Sequence, residues 1–304
     1  MRRWAMRTIT LLSKGIGLRN EHMDVLCQQP NFDDIDFLEL APENWMNIGG
    51  AKQEALECIS EKYPLVAHGL SLSIGDTQPL NISFIKQVGS FLDRYNIEIY
   101  SEHLSFSRDN NGYLYDLLPI PRHKENLAYL SDRIKAVQDI LQRPLVLENI
   151  SYYYNYPGDI PEEEFFTRLV EMTQCELLLD INNVFVNANN HHYDALTMIK
   201  GMPSDAIRYF HIAGHLKQDD NSLLDTHGKA VTNDVIQLAK DVIDFHGPRP
   251  LLLERDHFVP SIEELTQELN DVYHFAMECN LQSNEAERYA LSAREYASSN
   301  ARLC

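Results

Sequence analysis

Basic residues are scarce in this chain of 304 residues: 26 Lys and Arg face 45 Asp and Glu, for a formal net charge of −19. Such a balance opposes the phosphate neutralisation that nucleic acids require of a partner, so no nucleic-acid role is expected. Paired cysteines are missing as well. Five Cys (Cys27, Cys58, Cys175, Cys279 and Cys304) are an odd number with no C-x-x-C spacing, which excludes a disulfide framework and reads as reduced thiols of a cytoplasmic protein. Long hydrophobic runs are also absent: no segment reaches the ~18 apolar residues that span a bilayer, so no membrane partner is expected. The run Ile9 to Leu12 is too short for a signal core, and Lys14 interrupts it. Neither an internal repeat nor a low-complexity block is present.

What the chain does have is a regular alternation of short apolar runs with amphipathic stretches. Eight strand-helix units can be counted, with strands near Lys14–Leu18, Asp36–Leu40, Leu65–His68, Ile97–His103, Pro144–Glu148, Glu176–Asp180, Ile207–His211 and Pro250–Glu254. Alternation of this kind implies parallel strands joined by right-handed crossovers, and eight units suit an α/β fold of the (β/α)8 TIM-barrel class. Residues 1–280 are expected to form one barrel domain. Residues 281–304 read as a polar tail with the composition of a loosely docked helix.

Six of the strand-like runs end on a metal-ligand type: His68, His103, Glu148, Asp180, His211 and Glu254. Strand ends of a parallel barrel converge on one face, so these side chains are expected in one cavity. Asp225 and His227 join them from the long polar loop after His211, and Asn183 follows Asp180 by three residues. Four carboxylates crowded together need compensating cations, because like charges and burial both disfavour ionisation. Imidazole with carboxylate suits zinc, iron or manganese rather than calcium. His215 reads equally as a ligand, an outer partner of a ligand or a proton-transfer group. Glu43 and Asn44, in Ala41-Pro-Glu-Asn-Trp45, follow the second strand at the same rim and are expected either to touch substrate or to stand behind the ligands, a structural turn being the alternative. Tyr152-Tyr-Tyr-Asn-Tyr156 and the loop around Tyr113 carry aromatics suited to gripping a peptide or capping the mouth.

Together Gly15-Ile-Gly-Leu-Arg19, Leu40-Ala-Pro-Glu-Asn-Trp45, Val66-Ala-His-Gly69, Ser101-Glu-His-Leu-Ser105, Leu147-Glu-Asn149, Leu179-Asp-Ile-Asn-Asn-Val184, His211-Ile-Ala-Gly-His215, Asp225-Thr-His-Gly228 and Leu253-Glu-Arg255 resemble the multinuclear non-haem iron-dependent oxidative enzymes. The resemblance runs to about Asn280 and implies a xylose isomerase-like TIM barrel. It assigns His68, His103 and Glu148 to one ion; Glu148, Asp180, His211 and Glu254 to a second; Asn183, Asp225 and His227 to a third. It further implies two or three iron ions, replaceable by zinc or manganese, and oxygen-dependent modification of cysteine in a ribosomally made precursor peptide. A separate peptide-recognition partner protein is implied too. The competing reading is a zinc-dependent hydrolase or sugar isomerase of the same superfamily; a third is a non-catalytic metal-binding scaffold.

Overall fold

The computed structural model describes residues 8–29, 31–109 and 111–277; the tail expected over 281–304 lies outside them. Eight parallel strands close into a barrel in the order β1 (Lys14–Gly17), β2 (Phe37–Leu40), β3 (Leu65–Gly69), β4 (Tyr100–His103), β7 (Val146–Glu148), β8 (Glu176–Asp180), β9 (Ile207–Ile212) and β12 (Leu251–Leu253). Two antiparallel hairpins, β5 (Ser105–Asp109) with β6 (Gly112–Pro119) and β10 (His215–Lys217) with β11 (Leu223–Asp225), stand outside it. Around the strands run α1 (Met23–Gln28), α2 (Gly50–Ser60), α3 (Ile82–Arg94), α4 (Lys124–Leu141), α5 (Glu162–Thr173), α6 (Ile181–His191), α7 (Ala195–Gly201), α8 (Asn233–His246) and α9 over 262–277. The barrel class read from the alternation is the fold observed.

Proline and helix-cap chemistry set the boundaries. Pro64 and Pro250 stand immediately before β3 and β12, where a missing N–H costs nothing, and each still accepts through its carbonyl: from Leu38 N at 3.0 Å and from Phe210 N at 2.9 Å. Helix α3 starts where the Asn81 side chain accepts from Phe84 N, and buries Ile85, Val88, Phe91 and Leu92 along one stripe.

Inside the barrel the two-residue period of a strand builds two layers. The lower layer is apolar: Phe37, Val66, Ile99, Val146, Leu178, Tyr209 and Leu252, each at most 5% exposed, with Ile9 packed beneath. Two positions further along the same seven strands come Glu39, His68, Ser101, Glu148, Asp180, His211 and Glu254. The eighth strand contributes glycine at its lower position because Phe37 fills that quarter. A Cβ on Gly15 would sit 2.7 Å from the Phe37 ring.

Three segments differ from the sequence expectation. The loop read around Tyr113 belongs to the β5–β6 hairpin, whose register slips between Phe106 and Arg108; that bulge breaks the alternation that marks a strand. The polar loop after β9 contains the β10–β11 hairpin. Helix α6 begins directly at Ile181, immediately after the Asp180 that ends its strand. Its Asn-rich run Asn182-Asn183-Val184-Phe185-Val186-Asn187 has poor helix propensity. Tertiary bonds override it: Asp180 caps the first turn by accepting from Asn183 N at 2.6 Å, and the buried Asn187 accepts from Tyr152 N at 2.8 Å while donating to Ile150 O at 2.9 Å.

Candidate metal centre

The upper layer faces a cavity of about 720 Å3 at the C-terminal mouth of the barrel, lined by His68, His103, Glu148, Asn183, Asp225, His227 and Glu254 among others. Glu148 Oε2 lies 3.1 Å from His68 Nε2 and 3.2 Å from His103 Nε2, and those two nitrogens are 3.2 Å apart. His211 Nδ1 lies 3.1 Å from Glu254 Oε2 and 3.9 Å from Asp180 Oδ2. His227 Nδ1 is 3.3 Å from the same Glu254 oxygen, and its Nε2 is 2.6 Å from Asp225 Oδ1. Two sets of three, His68 with Glu148 and His211, and Asp180 with His227 and Glu254, hold ligating atoms within 4.8 Å of one another. The resemblance groups His211 with Glu148, Asp180 and Glu254; in the structure its ring stands between the two sets.

Whether these residues suit a metal is tested by what they lack. Among the described residues eleven buried side-chain N and O atoms have no hydrogen-bond partner, and five of them meet here: Glu148 Oε2, Asp180 Oδ2, Asn183 Oδ1, His211 Nδ1 and His227 Nε2. Close contacts between them are not aligned as hydrogen bonds. A buried polar atom without a partner is costly, and a cluster of such atoms with lone pairs pointing inward is resolved by cations. The donor set of imidazole, carboxylate and one amide oxygen fits two or three ions of borderline metals.

Electrostatics tell the same story without an ion present. Burial alone would lower the His68 pKa, but the neighbouring Glu148 charge pushes it up to about 9. Burial likewise opposes charge on His211 and His227, yet Glu39 and Glu254 beside the first, and Glu254 and Asp225 beside the second, hold both well above the usual histidine value. Burial and the Glu148 charge raise Asp180 to about 8. His103, where burial dominates, falls to about 4 and stays neutral. The cavity therefore recruits protons into places a divalent ion would fill. Metal uptake is expected to release protons and to tighten as pH rises toward about 9, since His68 and Asp180 must first be deprotonated. Calorimetric titration in two buffers of different ionisation enthalpy measures the release; a pH-independent affinity between 6 and 9 refutes it.

The remaining sequence candidates sit further out. Asn183 donates from Nδ2 to Glu148 Oε1 at 3.2 Å and leaves its oxygen free. Asp225 accepts from Ser151 Oγ and Asn182 Nδ2, both at 2.9 Å. His215 stacks on Phe185 and meets Asn182 Oδ1 at 2.8 Å, so it stands behind Asp225, and burial holds its pKa below the ordinary value. Asn44 lines the cavity. Glu43 turns to the loop after β3, where Oε1 accepts from Leu70 N and Ser71 N at 2.9 Å each. Sequence reasoning passed over Glu39, Ser101, Tyr209 and Asp256, although Glu39 stands two residues after Phe37 in the same period as the ligand types. Asp256 Oδ2 is 3.2 Å from His227 Nδ1, and Arg19 pairs with Asp256. Size does not locate this site: a hollow of about 760 Å3 at the opposite end, near Lys62 and Arg208, has no histidine in its lining and none of the orphaned atoms.

Residues 13–277 match the family model described as the RiPP precursor modification enzyme MbnB/TglH/ChrH. The chain belongs to this family. The RiPP precursor modification enzymes are metalloenzymes acting on ribosomally synthesised precursor peptides, which agrees with the resemblance read from the motifs. A UPF0276 protein of Acinetobacter baylyi is 48% identical over 262 residues, 86% of this chain and 90% of that protein. A UPF0276 protein of Shewanella oneidensis is 43% identical over 277 residues, covering 91% and 98%. Solved structures share the barrel at low identity. D-psicose 3-epimerase superposes with a TM-score of 0.58 at 11% identity over 87% of this chain and 98% of its own, and endonuclease IV from Thermus thermophilus with 0.57 at 14% over 88% and 99%. These show a xylose isomerase-like fold. No helix among the described residues is long and apolar enough to cross a membrane.

Proposed function

We propose that this chain is an iron-dependent oxidoreductase of the cytoplasm that holds two or three ions at the barrel mouth and uses molecular oxygen to modify a cysteine of a precursor peptide, delivered by a separate recognition protein. The observation that carries this reading is the convergence of five orphaned buried atoms on one cavity in a member of a peptide-modifying family. Iron bound there supplies the redox capacity and oxygen activation that no side chain of the cavity has. The chain itself supplies ligands, charge and shape. His68, His103, Glu148, Asp180, His211 and Glu254 hold the ions, with Asn183, Asp225 and His227 serving a third. Tyr153 and Tyr154 are more than half exposed on the rim, and the Tyr153 hydroxyl accepts from Asp225 N at 3.0 Å. Rings tethered this way offer a flat apolar wall to an extended peptide while leaving its thiol free to reach the depth. Asn44, from the facing rim, is placed to orient the peptide backbone, and His215 to steady Asp225 through Asn182.

The test uses protein loaded with iron without oxygen, then given oxygen, the recognition partner and a Cys-containing precursor. Oxygen consumption and a peptide mass change confined to cysteine are expected, with zinc-loaded protein inert because zinc has no redox chemistry. Isomerisation of a sugar or phosphodiester cleavage by the zinc form, with no oxygen uptake by the iron form, would transfer the assignment to the epimerase or hydrolase reading that the fold neighbours support. The net charge of −19 weighs against DNA among those substrates.

A further inference from the structure

We infer that Glu39 is a positioning residue which, through Tyr209 and Ser101, fixes the nitrogen on which His68 and His211 each keep a proton, so that both rings turn a lone pair toward the metal centre. The inference rests on the metal centre proposed above. Four buried contacts carry it. His68 Nδ1 lies 2.7 Å from Ser101 Oγ, and Ser101 Oγ lies 2.6 Å from the Tyr209 hydroxyl. Tyr209 donates to Glu39 Oε2 at 2.7 Å, and His211 Nε2 lies 3.1 Å from both Glu39 oxygens. None of Glu39, Tyr209, Ser101, His68 and His211 is more than 6% exposed, so water does not offer alternative partners.

The proton pattern follows from one end. A carboxylate can only accept, so His211 must keep its hydrogen on Nε2, and the Tyr209 hydroxyl spends its single hydrogen on Glu39. The tyrosine oxygen is then an acceptor, and Ser101 must be its donor. Ser101 also has the Ala67 carbonyl at 3.3 Å, but a 2.6 Å oxygen pair with no hydrogen between would be repulsive, so the shorter contact takes the proton. With its own hydrogen committed, Ser101 accepts from His68, which must be protonated at Nδ1. His68 Nε2, 3.1 Å from Glu148 Oε2, and His211 Nδ1, 3.1 Å from Glu254 Oε2, are then the nitrogens whose proton gives way to a metal ion. The second of these contacts runs from one ligand set to the other.

Packing alone gives no reason for this chain. Tyr209 belongs to the apolar lower layer of the barrel, and a phenylalanine would fill the same place. A hydroxyl buried there is costly unless bonded, and this one makes two bonds, both leading to histidines of the centre. The arrangement couples two rings on separate strands to one carboxylate on a third.

The experiment uses full-length protein carrying 15N-labelled histidine and loaded with Zn(II), a diamagnetic probe. Long-range 15N–1H correlation spectra distinguish protonated from metal-bound ring nitrogens. We expect His68 protonated at Nδ1 with zinc at Nε2, and His211 protonated at Nε2 with zinc at Nδ1. In Tyr209→Phe the His211 pattern should persist while His68 loses its fixed proton, and the zinc bound through His68 should weaken by ~10–100-fold, the scale of losing an outer partner of a ligand. Ser101→Ala, a smaller change in volume, should reproduce the His68 effect. Zinc held through the opposite nitrogens, or variants with unchanged spectra and affinity, would overturn the role of Glu39 alone. A wild-type protein that takes up no zinc would instead overturn the metal centre beneath it.

Discussion

Glu148→Ala is expected to strip at least one ion from the centre and to lower turnover by at least ~10^3-fold, the scale seen when one member of a catalytic unit is removed. Glu148 is 2% exposed, and its Oε2 stands about equally close to His68 Nε2 and His103 Nε2. Its other oxygen, Oε1, accepts from the Asn183 side-chain amide at 3.2 Å, which orients the carboxylate. Burial opposes its charge, yet His103 and His68 hold its carboxyl down at about 2, so the ligand is the carboxylate at neutral pH. Glu148→Gln keeps the volume and removes the charge, so it separates ligand loss from packing. Metal per chain by mass spectrometry, with circular dichroism to confirm the fold, is the measurement. Either variant retaining the wild-type metal content would remove Glu148 from the centre.

Asp180 and Glu254 are expected to respond in opposite directions once metal is withdrawn. With ions bound, Asp180→Asn and Glu254→Gln should both destabilise: losing an ion present at about 1,000 times its dissociation constant removes ~4 kcal/mol, on the order of 10 °C in melting temperature for a domain of this size. In chelated protein Asp180→Asn should stabilise. Burial and the charges of Glu148 and Asp225 raise the Asp180 pKa to about 8, well above its usual 3.8. The folded state therefore keeps a proton that the unfolded chain releases, and stability falls as pH rises from about 4 to about 8. The gain from Asp180→Asn should accordingly be largest above pH 8 and vanish below pH 4, and asparagine can still cap α6. Glu254 is the reverse case: despite burial, His227 and His211 hold its pKa well below the usual value. Its charge contributes stability present above the ordinary carboxylate range, so Glu254→Gln should destabilise the chelated form too. Calorimetry with and without chelator, from pH 4 to 9, decides; equal losses for both variants in both states would make the two carboxylates purely structural.

The strands and most ligand types were legible because buried parallel strands are continuous apolar runs and a barrel collects their ends. His68, Glu148, Asp180, His211 and Glu254 obey one rule, an apolar inward residue followed two places later by a polar one, and Glu39 obeys it as well. It escaped notice because Phe37-Leu-Glu-Leu40 continues past the acid with another apolar residue, so the run does not end on it. Helix α6 escaped for a different reason. Its asparagines oppose helix by local propensity and are held there by the loops after β7 and β9, contacts that no window of sequence contains. Strand order places β9 between β8 and β12, as consecutive barrel strands in the sequence require, and this brings His211 within reach of both sets.

The apolar layer beneath the centre also governs traffic. Seven packed side chains capped by Ile9 seal the barrel at its lower end, so ions have no exit through the floor and every exchange passes the same doorway that admits a substrate. On the function proposed above, a peptide seated across the mouth would also be a stopper, and the engaged enzyme would hold its metal longer than the idle one.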